Sequence, residues 1–318
     1  MLAGNPGCEY TETMELKKRV DLTREQYNLL TMHSALNVLN VLVYEIFMLE
    51  ETYGTTQWSQ QLAASLQDAA ASLSDSSASA TLVRNIDRFI TASEQQLSSW
   101  REHITLQAED LSDFDTSADN IAAIFDILRV RARELSARID NPDSWETFDI
   151  ITLHSNYMNV LRAIEKNSKG RYRIVNNLAE HDNGAYLVHF GITSHNNKSV
   201  FMPSVLQDVI RDLLANARKY TNPGGTIEAG LYDSGSEIRC VITDSGHGIP
   251  PAELDRVVEF GTRGSNVQAP TRGGGFGLTK AYWYTTHFGG RFWITSAPGA
   301  GTRIEIRIPC PGTQGGTA

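Results

Sequence analysis

Cysteine is scarce in this chain: Cys8, Cys240 and Cys310 are the only three in 318 residues. They are too scattered for a disulfide framework, a metal knuckle or a redox pair, so a reducing compartment suits them and a cytoplasmic location is expected. No uninterrupted apolar run approaches the roughly 18 residues of a membrane span, so none is expected. No basic segment followed by an apolar one opens the chain as a secretion signal would. Positive charge is also short, with 28 Lys and Arg against 37 Asp and Glu and a formal charge of -9. Such a surface repels polyanions, which argues against nucleic acid as a partner. Residues 22–139 contain no proline, and Gly54 is their one glycine.

With both breakers nearly absent, that stretch carries apolar residues at helical spacing. Leu29, Met32, Leu36, Leu39, Val43 and Ile46 step alternately by three and four, the seam of a helix packed at a shallow angle. A second seam runs through Ile86, Ile90, Ser93, Leu97, Trp100 and Ile104, and a third through Ala118, Ile121, Phe125, Leu128, Ala132, Leu135 and Ile139. Polar residues 72–79 are expected to form a hairpin turn, and residues 112–117 (SDFDTS) to cap a helix restarting near Ala118. Three or four helices result.

Asn141-Pro142 ends this half, because proline biases the preceding residue away from helical angles. Beyond it the period changes. Ile227, Ala229 and Leu231 alternate, and Ile304, Ile306 and Ile308 alternate against outward Arg303, Glu305 and Arg307, the pattern of a half-buried sheet. Helices expected near residues 155–167, 203–220 and 278–287 would cover its other face. The fold class is therefore an N-terminal antiparallel helical hairpin or bundle followed by an α+β two-layer domain with a mixed sheet. The expected divisions are a poorly ordered segment 1–21, a helical domain 22–141, an α+β domain 142–309 and a disordered tail 310–318.

Three motifs in the second half carry chemistry. In the helix opening near Pro203, Leu206, Ile210, Leu213, Leu214 and Ala217 form an apolar stripe, while Asp212, Asn216 and Lys219 share another face. A carboxylate, an amide and a cation in a row suit a metal-bound phosphate, although a solvated helix face has the same look. Asp244 to Pro250 (DSGHGIP) follows an apolar run. Gly246 and Gly248 would let the backbone approach a flat ligand, and Asp244 would accept from an amino group such as that of adenine. Arg272 to Leu278 (RGGGFGL) runs straight into a helix, whose first amides would make a nest for phosphates.

In combination, LLANARKYT, DSGHGIP, EFGTRG, GGGFGL and APGAGTRIEIRIP resemble, in that order, the ATPase domain of sensor histidine kinases. The likeness spans roughly half the chain. It implies ATP and Mg²⁺ as cofactors, with Asn216 as the magnesium ligand, Lys219 as a phosphate contact and Tyr220 as a wall against the nucleotide. It also implies Asp244 as the adenine-reading acid, with Gly246 and Gly248 shaping its pocket. Arg263 and Arg272 would lie in or beside a mobile lid, Gly273, Gly275 and Gly277 would be its phosphate-side glycines, and Thr302 would match the closing strand. Asp212 stands where many such kinases have asparagine and where hydrolytic relatives such as gyrase carry a water-activating acid.

The same resemblance singles out His33 in the first seam as the phosphoacceptor, with Asn37 one turn on, where a Thr or Asn often positions a hydrolytic water. His33 falls beside the seam positions and is expected to be at least partly exposed. Ser34 follows it, where the family usually has an acid. His103 and His154 rank below it, lacking a comparable polar partner in a regular seam. The implied activity is an ATP-dependent protein-histidine kinase, autophosphorylating His33 and passing phosphate to a response-regulator receiver domain, with the hairpin pairing into a homodimer. The alternatives are a phosphatase-biased or phosphotransfer relative, and an ATP-dependent switch or anti-sigma-type serine kinase.

Overall fold

Thr23 starts the first helix with a capping box: its hydroxyl accepts from the Gln26 N–H at 3.1 Å, and the Gln26 side chain accepts from the Thr23 N–H at 3.0 Å. Helix α1 (Arg24–Tyr53) then runs to Gly54, where φ is 86°. A second capping box at Thr56 opens α2 (Gln57–Ser72), and the Asp75 carboxylate caps α3 (Ser76–Arg84) through the N–H groups of Ser77 and Ala78. Helices α4 (Ile86–His103) and α5 (Ala108–Asp140) complete five helices among the described residues of this half. The computed structural model describes residues 13–105, 108–166, 170–262 and 275–312. By internal contacts the chain divides into Leu22–Pro142 and a second unit, Met1–Asp21 with Asp143–Ala318.

The α4 seam is buried through Ile86, Ile90, Ser93, Leu97 and Trp100, and the α5 seam through Ile121, Phe125, Leu128, Ala132 and Leu135, as their spacing predicts. The α1 seam is not where the spacing put it. Buried positions run Asn28, Met32, Ala35, Leu39, Leu42, Ile46 and Leu49, so Leu29, Leu36 and Val43 give way to Asn28, Ala35 and Leu42. An apolar helix carries more than one plausible stripe, and contact with both α2 and α5 selects among them. Residues 112–117 also differ from expectation, since they lie inside α5 and cap nothing. Fully buried Phe114 anchors that turn between Tyr53 and Trp100, with ring centroids 5.4 and 5.3 Å away, and Asp115 makes two bonds to Arg101 at 2.8 and 2.9 Å. Tertiary packing there overrides the local preference of Ser and Asp for caps. By length and composition alone α1 is apolar and long enough to cross a membrane, although His33, Asn37 and Asn40 interrupt its apolar run.

The second unit is built on a seven-stranded sheet. Its strands are β1 (Met14–Leu16), β3 (Arg173–Val175), β4 (Ala185–Ser194), β6 (Thr226–Asp233), β7 (Glu237–Asp244), β8 (Arg291–Ser296) and β9 (Thr302–Pro309), in the order β1-β8-β9-β7-β6-β4-β3. The pairs β3/β4 and β4/β6 are parallel and the others antiparallel, so the sheet is mixed. Strands β2 (Trp145–Asp149) and β5 (Ser199–Pro203) pair separately. Helices α6 (Ile150–Lys166), α7 (Leu206–Tyr220) and α8 (Gly277–His287) share one apolar core with the sheet. On the strand face away from that core Glu305 holds three guanidinium groups, those of Arg239, Arg303 and Arg307, at 2.7–2.9 Å. These bonds outweigh partial burial and hold its carboxyl down at about 2.

Part of the segment expected to be poorly ordered is a strand: Met14, Glu15 and Leu16 of β1 pair with Ile294, Trp293 and Phe292, while residues 1–12 lie outside the described residues. A three-residue strand is too short to show a period, yet it closes an edge that would otherwise offer unpaired backbone groups. Glu15 makes a bidentate bond to Arg291 at 2.7 and 2.8 Å, Lys18 pairs with Glu259, and the Tyr282 hydroxyl donates to the Lys18 carbonyl. The helical unit is thus an insertion between β1 and β2 of the sheet-bearing unit. Leu16 is 4% exposed within the main core, so Leu16→Asp is expected to cost about 3 kcal/mol or more by burying an unpaired carboxylate. The check is a lowered melting temperature together with faster hydrogen exchange at residues 292–294. At the other end Cys310, expected in the loose tail, is buried and its N–H donates to the Ser236 carbonyl at 2.9 Å. Residues 313–318 lie outside the described residues.

Candidate functional site

Helix α7 has two functions along its length. Leu206, Val209, Ile210, Leu213, Leu214 and Ala217 are buried against the sheet, while Asp212, Asn216 and Tyr220 follow one another a turn apart on a partly exposed flank. The interval from Asp212 to Tyr220 is about 12 Å along the axis, enough to underlie a nucleotide from phosphates to base.

At the middle of this flank stands the start of α8. Gly277 is buried, and a Cβ built there would lie 2.6 Å from the Asn216 amide nitrogen. A side chain is absent where the Asn216 amide and the opening turn of α8 approach one another. Among the described residues no side chain caps α8, so its opening turn offers N–H groups of the kind that bind an anion. Phe276, just before it, packs on Phe260 with ring centroids 4.6 Å apart. The Asn216 carbonyl oxygen, paired with phosphate oxygens, is a hard donor of the kind magnesium takes, and the cradle fits such a group.

The far end of α7 meets the DSGHGIP loop. The Tyr220 carbonyl accepts from the His247 N–H at 3.1 Å, Gly246 donates to Asp244 Oδ1 at 2.8 Å, and the Ile249 N–H donates to Ser296 Oγ at 2.8 Å. Asp244 sits opposite Thr302 in the β7/β9 register, and the Thr302 hydroxyl lies 3.0 Å from that of Ser296. Burial pushes the Asp244 carboxyl up to about 6, while bonds from the Gly246 and Thr302 backbone pull the other way. Gly248 has φ 69°. The ammonium of Lys219 lies 5.0 Å from the centroid of the Tyr220 ring.

Asp212 is not free to act alone. Its Oδ2 lies 3.0 Å from Nζ of Lys280, a fully buried lysine on α8. Lys280 and Ser296 escaped the sequence reading. The only available signal for Lys280 was one cation inside the apolar and aromatic run of α8; for Ser296 there was none. Gly275 lies at the edge of the described residues with φ 73°, whereas Arg263, Arg272 and Gly273 lie outside them.

In the helical unit His33 is 7% exposed, so the expectation of a partly exposed imidazole is corrected. It neighbours Met32 of the true α1 seam, and burial of α1 extends to that flank. The Asn37 amide nitrogen lies 3.2 Å from His33 Nε2. A donating Asn37 NH₂ in this position would engage the Nε2 lone pair. His103 is exposed and stacks on Trp58 with centroids 3.9 Å apart. The His154 Nε2 lies 3.1 Å from the Phe190 carbonyl oxygen, within the sheet-bearing unit.

Residues 202–312 match the family described as histidine kinase-, DNA gyrase B-, and HSP90-like ATPase. Similar proteins include histidine protein kinase DivJ of Caulobacter vibrioides, 35% identical over 106 residues, which are 33% of this chain and 17% of that protein. Sensor histidine kinase Hik2 of Thermosynechococcus vestitus is 37% identical over 107 residues, 33% of this chain and 28% of its own length. The chain thus spans less than a third of either relative. Among solved structures, the mycobacterial sensor histidine kinase MprB aligns with 52% of this chain and 97% of its own at 24% identity and a TM-score of 0.36.

Proposed function

We propose, from a chain whose residues 202–312 match the histidine kinase-, DNA gyrase B- and HSP90-like ATPase family, that it is the ATP-dependent protein-histidine kinase of a two-component system. The observation that carries this reading is the Asn216 amide set against Gly277 at the uncapped start of α8. Adenine would lie in the Asp244 loop, its amino group donating to the carboxylate, and the phosphates at the α8 N-terminus. Magnesium, held by Asn216 and phosphate oxygens, would neutralise phosphoryl charge.

His33 is the acceptor in this reading. Its Nε2 attacks the γ-phosphorus as the bond to the β,γ-bridging oxygen breaks, and ADP leaves with that electron pair. The phosphorylated imidazolium then gives its remaining ring N–H proton to solvent water. Burial of His33 and its contact with Asn37 mean that a rearrangement around α1 has to precede transfer. The phosphoryl group then passes to an aspartate of a response-regulator receiver domain, in the cytoplasm, where ATP is supplied. Val41, Tyr44, Phe47 and Met48 on α1 and Val130 on α5 are exposed, and this apolar surface supports pairing with a second copy. The Asn37–His33 contact also favours a second reading, a phosphatase-biased enzyme in which Asn37 positions a hydrolytic water.

Incubation with γ-labelled ATP and magnesium tests both. Acid-labile label on the wild type and none on His33→Gln supports the kinase. Little or no label on the protein, with release of inorganic phosphate from a pre-phosphorylated regulator, supports the phosphatase. Acid-stable label on another protein, or no affinity for adenine nucleotides, overturns both.

A further inference from the structure

Behind the phosphate end of the pocket lie four charges that the proposed function does not use. Lys280 Nζ, with no exposed side-chain surface, is 3.0 Å from Asp212 Oδ2 and 3.7 Å from Asp208 Oδ2. Asp208 Oδ1 is 3.2 Å from Arg211 Nη1. Side-chain exposures are 2% for Asp208, 7% for Arg211 and 13% for Asp212. The cluster is neutral as a whole, two cations against two carboxylates. Withdrawing such ions from water costs several kcal/mol each, and a well-packed apolar residue commonly serves stability as well or better. A lysine on the buried face of α8 therefore calls for a reason other than stability.

Position supplies the reason. Asp212 is the most exposed of the four, and it stands one turn before Asn216 on the flank that faces the start of α8. A carboxylate at that point can take a proton from water while the water oxygen attacks a γ-phosphorus. That reaction forms a bond from water oxygen to phosphorus, breaks the bond to the β,γ-bridging oxygen, moves the water proton to Asp212 and releases ADP and inorganic phosphate. Lys280 directs its ammonium at the same carboxylate and competes for the oxygen lone pairs that the proton would need.

We infer that Lys280 is a positioning residue that holds Asp212 in an ion pair, denies the bound triphosphate a general base, and so reserves the γ-phosphoryl group for a protein acceptor. The inference rests on the nucleotide-binding part of the proposed function and not on the identity of the acceptor. The test uses the full chain in a His33→Gln background, so that phosphate release cannot come from phosphohistidine. Lys280→Met is compared with Lys280→Met/Asp212→Asn by phosphate release with Mg·ATP and by ATP affinity from equilibrium titration.

The expected result is a rise of about tenfold or more in phosphate release in Lys280→Met, within the usual range for a general base, at an ATP affinity within about threefold of the parent. The rise disappears in the double variant. Unraised release in a folded Lys280→Met that binds ATP overturns the inference while leaving the proposed function standing. If Lys280→Met does not fold, the double variant decides, because it leaves no unpaired charge beside the Asp208–Arg211 pair. Release there near the parent level supports the inference, and a fall to about a tenth or less overturns it, since Asp212 would then be activating water despite Lys280. An absence of nucleotide affinity in the wild type overturns the inference and the proposed function together.

Discussion

Asp244→Asn is expected to lose on the order of a hundredfold in ATP affinity and yet to melt at a higher temperature than the wild type. The loss follows from donor arithmetic. The Asp244 carboxylate accepts from the Gly246 N–H at 2.8 Å and from the Thr302 backbone, and the adenine amino group would be a further donor to it. Asparagine has a single oxygen, so in either orientation its NH₂ meets another donor, at a cost of roughly 3 kcal/mol once desolvation is counted. The gain in stability follows from the raised carboxyl value. A rise from 3.8 to about 6 means that the ionised group destabilises the folded state by about 3 kcal/mol at neutral pH.

The sign of the pH dependence is the reverse of that for a salt-bridged acid. The folded state holds this proton more tightly than the unfolded state, so the penalty is fully present above about 6 and fades as pH falls toward 3.8. Melting curves of wild type and Asp244→Asn should therefore diverge at pH 7.5 and converge near pH 4. Wild-type ATP affinity should be level above neutral pH and decline below about 6, where the carboxyl is protonated. Isothermal titration across that range checks it, and equal affinity at pH 7.5 and pH 5 would remove Asp244 from the adenine contact.

Gly248→Ala should prevent the sheet-bearing unit from folding normally. At φ 69° an alanine is already strained, by about 1–2 kcal/mol. Its Cβ would fall 1.8 Å from the Ala297 carbonyl oxygen, and that atom is backbone, with no rotamer through which to retreat. Together these should cost more than about 4 kcal/mol, beyond what most single substitutions do. Circular dichroism and a melting curve decide the matter. A variant that folds with wild-type stability would mean that the turn can be rebuilt without glycine.

Much of the site was legible because its chemistry is carried by local motifs. Asp244, Gly246 and Gly248 are neighbours in the chain, and Asn216 and Tyr220 lie one turn apart on α7, so order and spacing announce them. The α4 and α5 stripes were legible for the same reason, since periodicity reports which residues share a face. What spacing could not report is which of several faces a neighbour covers. The α1 seam moved from Leu29, Leu36 and Val43 to Asn28, Ala35 and Leu42, and His33 was buried with it.

From the residues alone came the two contrasting halves, the helices α7 and α8 around the polar flank, and the glycine positions that let backbone approach backbone. All of these are properties of short windows, where propensity, period and turn chemistry act within a few residues. Folding in three dimensions settled the rest: strand β1 on the β8 edge, Phe114 holding SDFDTS inside a helix, and Lys280 opposite Asp212. Each of these joins residues far apart in the chain, and its free energy resides in the burial or charge that the distant partner provides. No window of sequence contains both members of such a pair.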